Sequence, residues 1–212
     1  LDGTSGEVMS GQLATVEPKL SGDFGKLMKI CDKVRKLGIR TNADTPGDAK
    51  RAREFGAEGI GLCRTEHMFF EGQRIWPVRS MILAAEDYTK MLQELDDATS
   101  AAEKKEIKKN YAVAKKQFEG SLKKLLPYQR KDFTGIFKAM AGLPVTVRLL
   151  DPPLHEFLPQ EKDNQAEMAR RLKVTPKRVR AEVEKLHEFN PMLGHRGCRL
   201  AVTYPAIYRM QT

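Results

Sequence analysis

Two arginines close short apolar runs in this sequence, Leu62-Cys63-Arg64 and Val147-Arg148. If those runs are strands of a parallel α/β sheet, both arginines stand at strand carboxyl ends, where such folds place their ligands. A guanidinium there offers a planar fork of donors suited to phosphate or carboxylate. Two forks on different strands can converge on one anion. The same positions suit salt bridges that cap the sheet, with Glu66 or Asp151 as partners, and spacing alone leaves the two readings balanced. A third basic group, His195-Arg196-Gly197-Cys198-Arg199, adds charge at the start of another apolar stretch and is a weak signal by itself. Other chemistry finds less support. Cys31, Cys63 and Cys198 lack the ligand spacing of a zinc site. His67, His155, His187 and His195 stand singly, without triad partners. No glycine-rich phosphate loop is present, and Gly59-Ile60-Gly61 reads as close packing inside a strand. Glu66 and Asp151 form no evident metal pair.

The elements that must position these groups follow from periodicity. Residues 1–20 read as short β-structure and turns around Val8-Met9, with Pro18 and Ser21-Gly22 marking a joint. Leu27, Ile30, Cys31 and Val34 give a short linker helix closed by Gly38. Ile39 to Ala43 is a short strand, and Thr45-Pro46 starts a helix with a cap and a proline at its first position. Gly59 to Cys63 is a buried strand. Residues 74–141 are mainly helical, with Ile107, Tyr111, Ala114, Phe118, Leu122 and Leu125 stepping by three or four on one apolar stripe. Leu143 to Leu150 is a strand; two helices follow, the second opening at Thr175-Pro176 and stopping at Asn190-Pro191. Gly197 to Thr203 reads as a fourth strand. Strands separated by helices imply a parallel sheet. The α/β pattern fits an open sheet or about four units of a (β/α)8 barrel.

Composition narrows the classes of function. The 212 residues carry 41% hydrophobic and 31% charged side chains, which reads as a soluble globular chain. No run reaches the roughly 18 apolar residues of a membrane span. Leu1 rather than methionine at the start is expected of a segment of something longer. The net charge of +9 permits an anionic partner, either nucleic acid or a phosphorylated metabolite. Most of the lysines fall between Lys104 and Lys124, off the apolar stripe, with no interleaved aromatics for base stacking. That pattern describes a solvated helix face, so no nucleic-acid partner is expected. A basic nucleic-acid-binding module and a purely structural fragment are the rivals from other classes.

At this point a resemblance enters. Gly61-Leu62-Cys63-Arg64-Thr65-Glu66-His67-Met68-Phe69-Phe70 resembles the arginine motif that opens the phosphoenolpyruvate-binding barrel of the pyruvate phosphate dikinase family. Arg148-Leu149-Leu150-Asp151-Pro152-Pro153-Leu154-His155-Glu156-Phe157 resembles a second motif, and Asn190 to Arg199 a third, in the same order. Asp2 to Val8 is similar to the closing strand of the phosphohistidine domain that precedes the barrel. Phosphoenolpyruvate synthase and enzyme I of the sugar phosphotransferase system share the barrel, but the Thr-Glu-His-Met-Phe-Phe and Asp-Pro-Pro-Leu-His-Glu-Phe spellings look like the dikinase. The resemblance implies three segments: 1–20 as the end of the phosphohistidine domain, 21–38 as a linker helix, and 39–212 as the first half of a TIM-type barrel. It also implies a helical insertion on the barrel exterior near residues 89–118.

The resemblance further implies that ATP, phosphate and pyruvate are interconverted with AMP, diphosphate and phosphoenolpyruvate through a phosphohistidine. Arg64 and Arg148 would hold the phosphoryl group and substrate, Asp151 would orient Arg148, and Arg196 would add charge. The family's Mg2+ ligands and its proton-donating cysteine are expected on later strands, so no catalytic or metal residue is expected within this chain. The expected partners are pyruvate or phosphoenolpyruvate and the phosphohistidine domain of the same parent chain, with the parent a homodimer and no membrane association. The setting is intracellular, in cytoplasm or in an organelle such as a plastid or glycosome. Half a barrel should also leave Ile60 and Leu62 uncovered.

Overall fold

A computed structural model describes residues 1–14 and 21–212. The chain divides into two compact units, Leu1–Gly38 and Ile39–Thr212.

In the first unit, residues 1–14 contain no strand, contrary to the expected N-terminal β segment. Local bonds take up the backbone instead. The Asp2 carboxylate accepts from the Thr4 N–H at 2.8 Å, and the Gly6 N–H donates to the Asp2 carbonyl at 2.9 Å. Gly6 adopts φ 75°, so the segment is a turn. The joint expected at Pro18 lies outside the described residues. Helix α1, Gly22–Val34, buries none of its residues, and it ends four residues before Gly38.

The second unit is built on three parallel strands in sequential order: β1 (Thr41–Asn42), β2 (Ile60–Arg64) and β3 (Val145–Arg148). Parallel neighbours need a crossover. Between β1 and β2 this is α2, Pro46–Glu54. Its start is set as the sequence implies: Thr45 Oγ1 accepts from the Asp48 N–H at 3.1 Å, and Pro46 takes the first turn. Between β2 and β3 run the short α3 (His67–Phe70), α4 (Ile75–Asp97), α5 (Ala101–Asn110) and α6 (Ala112–Ala139). Tyr88 stacks on Phe118, Tyr111 Oη donates to Glu94 at 2.6 Å, and Arg74 pairs with Asp132, so α4 and α6 lie antiparallel. The apolar stripe buries Ala114, Phe118 and Leu125 but leaves Ile107 and Tyr111 partly exposed. The expected single helix breaks at Tyr111, after Asn110, a poor helix former. Helix α5 opens with a capping box between Ser100 and Glu103.

One face of the sheet rests on α2 and the end of α6. Ala43, Ala49, Ile60, Cys63, Ile136 and Met140 form this core. Ile60 is fully buried there, which corrects the expectation that it lies uncovered. Gly135 of α6 meets α2 so closely that a Cβ would lie 2.6 Å from Pro46 Cγ. A larger core joins α4 and α6 to the helices after β3: α7 (Lys162–Leu172), α8 (Pro176–Leu186), α9 (Gly197–Thr203) and α10 (Pro205–Gln211). Thr175 caps α8 as its sequence implies, and α8 stops at Leu186, before Asn190-Pro191.

The expected fourth strand at Gly197–Thr203 is helix α9, so the sheet has three strands among the described residues. The reason is local. Gly197 turns the chain at φ 56° while its N–H donates to the Asp151 carbonyl at 2.9 Å. Of the next residues only Leu200 is buried, and Val202 is 83% exposed, so a two-residue alternation has nothing to bury.

Candidate functional site

The carboxyl ends of the three strands carry an alternating set of cations and carboxylates. Asp44 follows β1, Arg64 ends β2, Glu66 lies two residues further on, and Arg148 ends β3 with Asp151 behind it. Arg64 and Arg148 are paired positions on neighbouring strands. Paired positions in a sheet place both side chains on the same face, with strands about 4.8 Å apart. The four residues singled out from sequence, Arg64, Arg148, Asp151 and Arg196, therefore share one sheet end.

Each arginine is held from below by a carboxylate. Asp44 accepts the Arg64 backbone N–H at 2.7 Å, and its second oxygen accepts Nε at 3.1 Å and a terminal nitrogen at 2.7 Å. The same oxygen lies 2.9 Å from His67 Nδ1. Burial works against ionisation of Asp44, but the hydrogen bonds from Arg64 outweigh it and hold the carboxyl below its usual range. Arg148 donates to Glu66 and lies 3.3 Å from Asp151, which also pairs with Arg196. The bond to Asp151 raises the Arg196 guanidinium above its ordinary value.

Exposure is graded in a consistent direction. The carboxylate side chains of Asp44 and Glu66 are 9% and 6% exposed, whereas those of Arg64 and Arg148 are 35% and 36% exposed. Negative charge lies underneath and positive charge faces solvent. Of the five N–H donors of a guanidinium, Arg64 spends two on Asp44 and keeps three. Arg148 Nε and Glu66 Oε2 are buried and find no partner among the described residues. Buried polar atoms without partners are rare in native structures. The arrangement can bind an anion while its geometry is fixed by the carboxylates.

Of the two readings left open by spacing, the salt bridges at the sheet end are present, and Arg64 has N–H donors to spare beyond them. Glu66 and Asp151 were named from sequence as pairing partners. Asp44 and His67 were not. The signal for Asp44 was its place directly after a short strand, hidden because the next residues, Thr45-Pro46, read as a helix cap. Cys63, 0% exposed, sits beneath the site, and burial, with the Asp44 and Glu66 charges, pushes its thiol up to about 12. It is a packing group rather than a nucleophile.

The acidic residues do not suit the Mg2+ of the dikinase reaction. Asp44, Glu66 and Asp151 are each paired with arginine, and no three His, Cys, Asp or Glu side chains among the described residues gather as a metal would need.

Comparison of the sequence with known families defines the class of protein. Residues 18–212 match the profile of the PEP-utilising enzyme, PEP-binding domain, and the chain belongs to that family. Within it, the chain is 51% identical over 211 residues to the pyruvate, phosphate dikinase of Rhizobium meliloti (strain 1021). It is 48% identical to that of Clostridium symbiosum and to pyruvate, phosphate dikinase 1, chloroplastic, of Arabidopsis thaliana. All of this chain is covered in each case, but only 20%, 21% and 19% of the relatives. The chain spans about a fifth of the length of the curated relatives it matches. No helix among the described residues is long and apolar enough to cross a membrane.

Proposed function

We propose that this chain is part of the phosphoenolpyruvate- and pyruvate-binding domain of a dikinase, and that Arg64 and Arg148 grip the phosphoryl group of the substrate. The observation that carries this reading is the pair of adjacent strand-end arginines, each backed by a buried carboxylate and open to solvent. Asp151 holds Arg148 and Arg196 together, so Arg196 adds a third cation to the same anion. Charge spread over a transferring phosphoryl group is stabilised by fixed cations that need no reorganisation. In this reading residues 39–212 are the first part of a (β/α)8 barrel with an exterior insertion near 89–118, 21–38 are a linker helix, and 1–20 close the phosphohistidine domain. The whole reaction interconverts ATP, phosphate and pyruvate with AMP, diphosphate and phosphoenolpyruvate, with Mg2+ held by residues outside those described here.

The test is calorimetric titration of the chain with phosphoenolpyruvate. Arg64→Ala and Arg148→Ala should each weaken binding at least about tenfold, since a charge-assisted bond contributes roughly 1.5–3 kcal/mol. Unchanged affinity in a folded Arg64→Ala variant would reject the assignment.

A further inference from the structure

The ladder between β2 and β3 stops in an unusual way. In a parallel pair the bonds follow an even, slanted series. The Thr65 N–H donates to the Arg148 carbonyl at 3.3 Å. The next bond of that series would run from the Leu150 N–H to the Thr65 carbonyl, but the chain turns there into α3 and that carbonyl accepts the Met68 N–H at 3.2 Å. Instead the Leu150 N–H donates to Gln211 Oε1 at 2.8 Å, and Gln211 Nε2 donates to Thr65 Oγ1 at 3.0 Å. The side-chain amide of Gln211, reaching in from α10, thus bridges the Leu150 N–H and the Thr65 hydroxyl just beyond the two strand ends. Gln211 is 7% exposed, Leu150 1% and Thr65 0%, so water does not replace it. One turn earlier on α10, Tyr208 Oη donates to the Leu150 carbonyl at 2.6 Å and to the Gly197 carbonyl at 3.2 Å. Burial, then the Asp151 charge, pushes that phenol up to about 12, so it remains a donor.

Thr65 lies between Arg64 and Glu66. Leu150 lies two residues after Arg148 and directly before Asp151. The amide therefore joins the two segments that carry Arg64, Glu66, Arg148 and Asp151. We infer that Gln211 is a positioning residue, a side-chain rung that sets the separation of the β2 and β3 ends and hence of the two guanidiniums that face the ligand. This deepens the proposed phosphoenolpyruvate site and rests on it for the ligand, but the geometry it predicts can be read without one. The amide satisfies the buried Leu150 N–H and the buried Thr65 hydroxyl and ties the two strand ends together at a separation set by its own width.

The experiment uses the Arg64 and Arg148 Nε–H signals of the ligand-free chain in nitrogen-15 spectra, assigned with Arg64→Lys and Arg148→Lys. Gln211→Met keeps the length and removes both polar atoms. Both arginine signals should move in Gln211→Met while the amides along α4 and α6 stay in place. Thr65→Val, which removes only the hydroxyl that receives the rung, should move them likewise, and Thr65→Ser should restore them. Phosphoenolpyruvate should bind about tenfold more weakly to Gln211→Met and Thr65→Val, the range seen when outer partners of a binding group are lost. Unmoved arginine signals in folded Gln211→Met overturn the inference whether or not phosphoenolpyruvate binds. Should Gln211→Met not fold, the Thr65 pair decides: identical spectra for Thr65→Val and Thr65→Ser overturn it. Moved signals with no phosphoenolpyruvate binding to the unmodified chain would uphold the positioning role and reject the proposed ligand.

Discussion

Arg148→Met is the most informative single change at the strand ends, because it leaves a buried carboxylate behind. Glu66 is 6% exposed, one of its oxygens already lacks a partner, and Arg148 supplies the bond to the other. Removing one partner of a buried ion pair costs about 3–5 kcal/mol, most of it the penalty of the stranded charge. Arg148 itself is 36% exposed, so water screens part of the interaction and the low end, about 3 kcal/mol, is the expected cost. Asp151 keeps Arg196 and adds little to the loss. Replacing both residues, Glu66→Met with Arg148→Met, removes the stranded charge and should cost only about 0–1 kcal/mol, since apolar replacements of buried pairs are often neutral. The double-mutant cycle should thus show a coupling of about 2 kcal/mol or more. Urea unfolding of the four proteins measures it, with slopes checked for constancy. A cost below about 0.5 kcal/mol for Arg148→Met, the size expected of an exposed position, or additivity within about 0.5 kcal/mol, would refute the claim that Glu66 is buried and depends on this arginine.

Three further outcomes are expected. Burial between α4 and α8 raises the Glu182 carboxyl, so folding favours its protonated form; stability should be fullest below the ordinary carboxylate range and fall as pH rises through the raised value. Glu182→Gln should therefore raise the melting temperature at pH 8 relative to the parent and not at pH 4, and a pH-independent difference would contradict the burial. Lys108→Glu and Lys115→Glu should each change stability by no more than about 0.5 kcal/mol, as for exposed positions, because Lys108 is exposed and Lys115 is 42% exposed and 4.0 Å from Glu119. Finally, the chain mixed with ATP, phosphate, Mg2+ and pyruvate should yield no phosphoenolpyruvate in a coupled assay, since it spans only about a fifth of the relatives' length; product above background would show that these residues suffice.

The sequence made the framework of the site readable because its signals are local. Leu62-Cys63-Arg64 and Val147-Arg148 announce strand ends within five residues, and Thr45-Pro46 and Thr175-Pro176 announce helix starts within four. What stayed hidden depends on partners far along the chain. Asp44 meets Arg64 across 20 positions, and Gln211 meets Thr65 across 146, with no local pattern to mark either contact. Gly197–Thr203 failed for a different reason. A short apolar run fits a strand or one buried helical turn equally well until its neighbours are known. The break at Tyr111 also escaped notice, because the three- and four-residue spacing carries on across it while the backbone does not.

The contact of Gly135 with Pro46 has a consequence some distance from either residue. Pro46 lies two positions after Asp44, and α2 begins on it with little slack, because its ring fixes the backbone. A methyl group at position 135 would act as a shim between α6 and α2, displacing the first turn of α2 and with it the carboxylate that braces Arg64. Ordinarily alanine would favour a helix interior by up to about 1 kcal/mol over glycine. Here that gain is set against the alignment of the Asp44 carboxylate, so Gly135→Ala is the kind of substitution that raises helix propensity and loosens the brace on Arg64 together.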